Sequence, residues 1–387
     1  MRITIADARR LAVTAQRLAG PRPRPTRGRI LDLVRHIGFL QLDPTNVVAR
    51  NVYLVVWSRL GAFDTTLLDS LLERDRALFE TPSFLLPTSD LPLHAATMGK
   101  YRSDVSPGQP HSPDTWHSRA RDWLARNQML KREVLARLRR DGPLPLTAFE
   151  GRTHVSWTSG DMDAERNVSV MLAILQRRGD VVVAGRRRGH KLYALAQGWF
   201  PKVRPLPPRE RAREATLRSL RANGLATLKQ LRWYHAFNRH VTPDALRALE
   251  REGRVTPVEV VGIDDVFYTL SDIERRLRAP FVGRTVLLSP FDPLIKDRER
   301  LEMLFGYRYR IEIYTPVRLR KLGFWAMPVL HGDRIVGSVD PKVDRERGVL
   351  VVNRLVTEKG APLRAIRGAV SELADFMGAT KVEWPTR

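Results

Sequence analysis

The chain has 387 residues, of which 43% are hydrophobic, and this predicts two or three domains with proper cores. It contains no cysteine, which excludes a disulfide framework, a thiol nucleophile and a zinc site with thiolate ligands. The formal net charge of +24, nearly all from arginine, favours a polyanionic partner, because basic surface that neutralises phosphates releases counterions. An ordinary surface biased toward arginine is the alternative.

The N-terminal stretch MRITIADARRLAVTAQ predicts an amphipathic helix without the apolar core of a signal peptide. No run of about 18 apolar residues occurs, so no membrane-spanning helix is expected. We therefore expect a cytoplasmic protein with no membrane partner.

Residues 1–95 predict a helical, winged-helix-like domain, because apolar residues recur near i, i+3, i+4 and i+7. PRPRPTR at 21–27 separates the first two helices and cannot be helical. A proline-rich link is expected at 82–116. The predicted helices are IADARRLAVTAQRLAG, RGRILDLVRHIGFL, NVVARNVYLVVWSRL and TTLLDSLLERDRALF.

Residues 117–205 predict a second winged helix, with two helices around GPLPLTAFEG and then the β-rich hairpin VVVAGRRRGHKLYALA. The basic tip of this hairpin suits contact with phosphate, and a solvated loop is the alternative. The candidate DNA-binding residues of the tip are Arg186, Arg187, Arg188, His190 and Lys191.

Residues 206–278 repeat the pattern and predict a third winged helix. Its first helix is expected to end at Gly224, and its third to begin at Thr242 or Asp244. VTPVEVVGIDDVFYTL is the predicted hairpin. Trp233 lies at helical spacing and is expected in the core.

Residues 279–387 predict a small C-terminal β domain, because runs such as TVLLSPFDPLIKD, YRIEIYTPV and GVLVVNRLV are separated by turns. PLRAIRGAVSELADFMGA predicts a covering helix. The expected fold is therefore α+β, with about three tandem winged-helix domains followed by this β domain. A structural, helix-capping role is expected for Asp292 before Pro293.

The stretch GFLQLDPTNVVARN at 38–51 permits two interpretations. Residues before proline favour extended backbone, and Gln41 and Asp43 would then project to one side as a polar pair. Alternatively, Asp43 caps a helix that begins at Pro44. Asn46 and Asn51 are expected on a helix surface.

The sequence resembles the YcaQ/AlkZ family of bacterial winged-helix DNA glycosylases over nearly its whole length. The resemblance rests on GFLQLDPTNVVAR, on LLSPFDPLIKDRERLEMLFGYRYRIEIY and on MPVLHGDRIVGSVDPKVDRERGVL. Members excise N7-alkylated purines, and some unhook interstrand crosslinks formed through N7 of guanine. One departure is LFETPSFLLPTSDLPLH, which keeps Glu80 but lacks the Tyr-Trp pair and the His-Glu-Ala of many members.

The resemblance implies that Gln41, Leu42 and Asp43 form a Gln-apolar-Asp catalytic motif. An N7-alkylated guanine is already a good leaving group, so the enzyme must stabilise an oxocarbenium-like sugar and position a water. Asp43 would supply the carboxylate and Gln41 would orient the water or the sugar. Arg50, in the same matched block, joins the candidate DNA-binding residues.

The expected partner is double-stranded DNA, bound by a monomeric, monofunctional DNA glycosylase acting in repair. The histidines show no His-Glu-x-x-His spacing, and no phosphate-binding glycine loop occurs, so neither a metal nor another cofactor is expected. The alternative is a non-catalytic winged-helix DNA-binding protein or transcriptional regulator, since a fold does not fix a function.

Overall fold

The computed structural model describes residues 1–102, 116–150, 153–157, 164–234 and 240–385, and it has the mixed α+β character expected from the sequence. The helices are α1 (Ile5–Ala15), α2 (Arg27–Ile37), α3 (Asn51–Leu60), α4 (Thr66–Glu73), α5 (Leu91–Arg102), α6 (Trp116–Arg126), α7 (Gln128–Asp141), α8 (Ala164–Arg178), α9 (Pro208–Asn223), α10 (Leu228–Trp233), α11 (Pro243–Arg251), α12 (Ile273–Arg278), α13 (Pro293–Lys296), α14 (Arg298–Phe305) and α15 (Leu363–Phe376). The strands are β1 (Arg2–Ile3), β2 (Leu40–Gln41), β3 (Leu78–Glu80), β4 (Phe84–Pro87), β5 (Leu144–Pro145), β6 (Val181–Arg187), β7 (His190–Leu195), β8 (Leu225–Ala226), β9 (Val255–Val260), β10 (Val266–Leu270), β11 (Thr285–Leu287), β12 (Met327–His331), β13 (Arg334–Asp344), β14 (Val349–Thr357) and β15 (Lys381–Glu383).

Contacts divide the chain into two compact units. Unit 1 comprises residues 1–68 and 207–387, and unit 2 comprises residues 69–206. The division into four domains that the sequence predicts, at residues 1–95, 117–205, 206–278 and 279–387, stays a prediction. No helix in the described ranges is long and apolar enough to cross a membrane.

The first sheet of unit 1 has the strand order β1-β9-β10-β8, with β1 parallel to β9. Helix α9 directly precedes β8 of this sheet and ends at Gly224, whose φ of 79° favours glycine. A Cβ at this position would lie 2.5 Å from the main-chain oxygen of Leu11, so α1 and α9 approach closely here. The predicted C-cap at Gly224 is confirmed, and Thr242 caps α11 by accepting a hydrogen bond from the amide of Ala245.

The second sheet of unit 1 has the order β11-β12-β13-β14-β15. Helix α15 packs on it through residues spaced three and four apart, which is why this stretch forms an amphipathic helix. Its buried face, Ile366, Val370 and Leu373, shares a core with Trp57 and Trp325.

The sequence predictions for two whole segments are wrong. YRIEIYTPV forms no strand: the buried carboxylate of Glu312 accepts hydrogen bonds from the amides of residues 321–323, which folds the segment into an irregular loop. The expected link at 82–116 contains β4 and α5 in its described part. Its prolines are compatible with these elements, because one ends a strand and Pro92 lies in the first turn of α5.

Unit 2 contains the β3–β4 hairpin and a sheet of order β5-β7-β6, beside a core shared by α6, α7 and α8. The β6–β7 hairpin pairs Arg187 with His190, leaving a two-residue loop. Arg188 and Gly189 in that loop have φ values of 51° and 82°. Two successive positive φ values are typical of the type I′ turn, whose twist matches that of the flanking strands.

Candidate active site and nucleic-acid interface

The Gln-Leu-Asp segment lies in unit 1, directly after α2. That helix ends at Gly38 in the left-handed conformation, and the chain then passes through Phe39 into β2. Phe39 is 1% exposed, whereas Gln41 and Asp43 are half-buried. The apolar residues therefore anchor the strand and leave the two polar side chains at the surface of the unit.

Asp43 does not cap a helix. Its Oδ1 accepts a hydrogen bond from the amide of Thr45 at 2.9 Å, and the next helix, α3, begins only at Asn51. The helix-cap interpretation is therefore wrong, because the loop after Pro44 instead buries Val48 in the core. Oδ1 is thus occupied by the hydrogen bond within this turn. Oδ2 accepts no hydrogen bond from the described residues, so Oδ2 can interact with a ligand.

Gln41 is held through its backbone. Its main-chain oxygen accepts a hydrogen bond from Asn51 Nδ2 at 2.7 Å, and Asn51 Oδ1 accepts one from Ser289 Oγ at 2.6 Å. Asn51 is 1% exposed, so its expected place on a solvated helix surface is wrong: both ends of its amide are used inside unit 1. Asn46 is exposed as expected, but it lies in the loop before α3 and not on a helix. Gln41 Oε1 is buried and has no hydrogen-bond donor among the described residues.

A buried ion pair fixes the far end of α3. Arg59 and Asp292 are both 0% exposed, and Arg59 Nη2 donates to Asp292 Oδ1 at 2.9 Å. Asp292 also accepts a hydrogen bond from the amide of Leu294 and thereby caps α13, in agreement with the structural role expected for it. The loop that contains Ser289 and Asp292 is therefore bound to α3 at two residues, Asn51 and Arg59.

A groove of about 1020 Å³ lies on unit 1 beside α10, α13 and α14. Trp233 lines it and is 50% exposed, so the expectation that Trp233 lies in the core is wrong. Leu231 and Tyr234 form the buried face of this stretch, and Trp233 points about 100° away from Tyr234. Sequence reasoning did not identify this groove. Its other lining residues are Thr227, Leu228, Lys229, Gln230, Arg232, Asp265, Lys296, Asp297, Arg298, Glu299 and Met303.

Lys296 lies in this groove near the Gln-Leu-Asp segment. Its Nζ is 5.7 Å from the ring centroid of Phe39, which precedes Gln41 by two residues in the sequence. Phe39, Trp233 and Lys296 also line a smaller pocket together. Burial, with a smaller contribution from the charge of Arg298, lowers the pKa of Lys296 to about 7.

The basic hairpin tip lies in unit 2, and its five candidate residues divide into two groups. Arg186 Nη2 and Lys191 Nζ each lie 2.6 Å from the carboxylate of Glu80, which is 0% exposed. Arg187, Arg188 and His190 are exposed. Arg186 and Lys191 thus neutralise a buried acid, and the other three point to solvent, where they can meet phosphate.

Unit 1 also has a basic cleft of about 530 Å³ that sequence reasoning missed. It lies beside the PRPRPTR segment, and its charged or titratable lining residues are Arg17, Arg29, Asp32, Arg35, His36, Arg59 and Arg221. Burial and the charge of Arg17 lower the pKa of His36 to about 4, so the imidazole is neutral at pH 7. The excess of arginine in α2 was the available signal. Arg50, at the start of α3, stacks over Tyr53 at 5.3 Å from the ring centroid.

The described residues contain no group of three or more His, Asp or Glu side chains that could hold a metal ion. His235 and Arg239, which follow Trp233 in the sequence, lie outside the described residues. The chemistry available at the Gln-Leu-Asp segment is that of a carboxylate and a neutral amide.

Comparison with known proteins agrees with this picture. The family described as DNA glycosylase AlkZ-like matches residues 34–376. The structure is similar to that of the Streptomyces sahachiroi DNA glycosylase AlkZ, with 19% sequence identity, a TM-score of 0.67 and 100% coverage of both chains. At this identity the structural likeness shows a common fold over the full length.

Proposed function

Because the chain belongs to the AlkZ-like DNA glycosylase family, we propose that it hydrolyses the N-glycosidic bond of N7-alkylated purines in double-stranded DNA, with Asp43 and Gln41 as the catalytic residues. The observation that supports this most is the pairing of a half-buried carboxylate with a buried, unpaired amide oxygen in one short segment. An N7-alkylated guanine carries a positive charge and needs no proton before it leaves. The enzyme has only to stabilise the sugar cation and position a water.

Asp43 is suited to the charged part of this reaction. Thr45 holds one carboxylate oxygen at 2.9 Å, which fixes the direction of the other. A fixed negative charge beside C1′ stabilises the oxocarbenium-like transition state, and the same oxygen can accept the proton of the attacking water, as carboxylates do in glycoside hydrolysis.

Gln41 is suited to orient that water. A buried acceptor without a donor costs ~1–3 kcal/mol, so Oε1 gains when a water or a substrate hydroxyl donates to it. The amide brings no charge that would oppose the cationic base. Water is therefore the nucleophile at C1′ and base release follows the course of a monofunctional glycosylase.

DNA contact is assigned to the exposed cations of the two units. The order of helices and β6–β7 hairpin in unit 2, and of α9, α10, α11 and the β9–β10 hairpin in unit 1, supports tandem winged helices. Arg187, Arg188 and His190 then form a wing tip that contacts phosphate. Arg50, which lies in unit 1 nine residues after Gln41, is assigned a separate DNA contact.

Release of N7-methylguanine from duplex DNA tests the proposal. Asp43→Asn keeps the turn but removes the charge, and we expect it to lower single-turnover base release by about 10²–10⁴-fold. Asp64→Asn is a matched control, since Asp64 Oδ1 accepts from the amide of Thr66 at 3.0 Å, in the same i to i+2 geometry as Asp43. Gln41→Leu should lower the rate and keep DNA binding.

Two outcomes would contradict the proposal. Wild type that binds duplex without releasing base above the spontaneous rate would instead indicate a DNA-binding protein or regulator. Full activity in Asp43→Asn would contradict the assignment of Asp43 as a catalytic residue. An interstrand crosslink through N7 of guanine, tested in parallel, measures whether the substrate range extends to unhooking.

A further inference from the structure

The loop between α14 and β12 presents three large apolar side chains to solvent. Tyr314 is 92% exposed, Val317 is 75% exposed and Leu319 is 59% exposed. They lie within six residues, and the last two belong to a single turn of 3-10 helix at Val317–Leu319. Single apolar side chains are common on a protein surface, whereas a group of them marks a surface that meets another molecule.

Hydrogen bonds at the base of this loop hold its tip outward. The buried carboxylate of Glu312 accepts from the amides of residues 321–323 at 2.8–3.1 Å and so joins the two ends of the loop. Arg320 Nε donates to the main-chain oxygen of Thr315 at 2.8 Å, and Arg354 on β14 donates to the main-chain oxygen of Arg320 at 2.7 Å. A tip that is already ordered loses little conformational entropy when it binds.

The exposed charges of this loop are all positive. Between residues 306 and 326 the only acid is Glu312, which is buried. Arg310, Arg318 and Lys321 are exposed and form no ion pair with the residues that the structure describes. The partner that fits an apolar tip among unpaired cations is a polyanion with apolar surface between its charges. Duplex DNA has this form, because its stacked bases lie between two phosphate backbones.

We infer that this loop is a wedge that inserts the Tyr314 ring between base pairs of duplex DNA, while the cations around it contact phosphates. The inference rests on DNA as the partner, which membership of the AlkZ-like family implies, and on neither catalytic residue. Proteins that kink duplex DNA insert apolar side chains at a base step in this way, and an aromatic ring also stacks on the bases. An unstacked step lowers the cost of extruding a damaged base.

Duplex DNA with 2-aminopurine in place of adenine tests the wedge, because the fluorescence of this base rises when it is unstacked. Saturating wild type should raise the fluorescence. Tyr314→Ser should lose most of that rise and weaken duplex binding on the order of 10-fold, as expected for one lost stacking contact. Tyr314→Phe, which keeps the ring, should retain both within about twofold. Met129→Ala shortens an exposed apolar side chain of unit 2 and is the control that should change neither.

The cations of the loop are tested separately from its ring. Arg318→Gln should lower the slope of log K against log salt by about 0.9, for one lost phosphate contact, and leave the fluorescence of the saturated complex unchanged. An unchanged slope would overturn the phosphate contact at this loop.

The same fluorescence rise in wild type and Tyr314→Ser overturns the wedge. Binding of wild type to anionic phospholipid vesicles that Tyr314→Ser loses, with duplex binding unchanged, also overturns it and assigns the tip to a membrane surface. Release of N7-methylguanine is measured on the same preparations. A fluorescence rise that needs the ring, without base release, would contradict the proposed function and support the wedge, and base release without such a rise would do the reverse.

Discussion

Asn51 donates a hydrogen bond from Nδ2 to the main-chain oxygen of Gln41 at 2.7 Å, which ties β2 to the first turn of α3. Because Asn51 also accepts from Ser289 Oγ at 2.6 Å, one buried amide positions the segment from both sides. The geometry of the Gln-Leu-Asp segment thus depends on a buried residue of the next helix.

Asn51→Ala should destabilise the fold and slow base release. It leaves two buried polar groups unpaired, at a cost of ~1–3 kcal/mol each, and lets the motif shift. Small misplacements of reacting groups can cost about 10²-fold in rate. Urea melts and single-turnover base release measure the two effects. Asn46→Ala, at an exposed position, is the control and should change neither. Equal behaviour of the two variants would contradict the positioning role.

Asp292→Asn should be among the most destabilising isosteric changes in unit 1. It leaves the guanidinium of Arg59 buried without a counter-charge, and breaking one side of a buried pair costs about 3–5 kcal/mol. Thermal melts give the measurement. Glu252→Gln removes the partner of Arg213 in an exposed pair and should leave the melting temperature nearly unchanged. A small effect of Asp292→Asn would mean that the Arg59 side chain reaches water in the variant and is not left buried without a counter-charge.

Arg188→Asn should weaken DNA binding without lowering the stability of the fold. Asparagine tolerates the φ of 51° better than arginine and is favoured in type I′ turns, so the stability of unit 2 should stay equal or rise. Duplex binding should weaken, and the slope of log K against log salt should fall by about 0.9 for one lost phosphate contact. Arg188→Lys, which keeps the charge, is the control. An unchanged salt slope in Arg188→Asn would show that the tip does not contact phosphate.

His36 should make stability depend on pH in the acid range. Its folded pKa of about 4 lies below the ordinary 6.5, so the folded state binds fewer protons between these values. Stability is therefore full above about pH 6.5 and falls as the pH drops toward 4. The groups that act on the imidazole are Arg17, the main-chain oxygen of Ala15, Arg221 and Arg276. Urea midpoints at pH 7 and pH 5 should differ less in His36→Gln than in wild type or in His190→Gln.

Local sequence was sufficient wherever one short pattern decides the conformation. The periodicity of α15, the glycine that ends α9 and the threonine that caps α11 depend on near neighbours and were predictable. The basic hairpin at 181–195 was found for the same reason. Segments whose conformation depends on partners outside the segment were not predictable. Glu312 holds YRIEIYTPV in a loop, because its carboxylate accepts hydrogen bonds from amides nine to eleven residues later.

The sequence by itself determined the α+β class, the basic surface and the family to which the Gln-Leu-Asp motif belongs. Tertiary structure alone decided what each polar side chain faces. It buried Asn51, paired Arg186 and Lys191 with Glu80, turned Trp233 outward and set Lys296 in a groove beside Phe39. The reason is physical: burial and charge pairing are set by residues far apart in the chain, and these determine whether a cation neutralises a carboxylate, meets a phosphate or loses its proton.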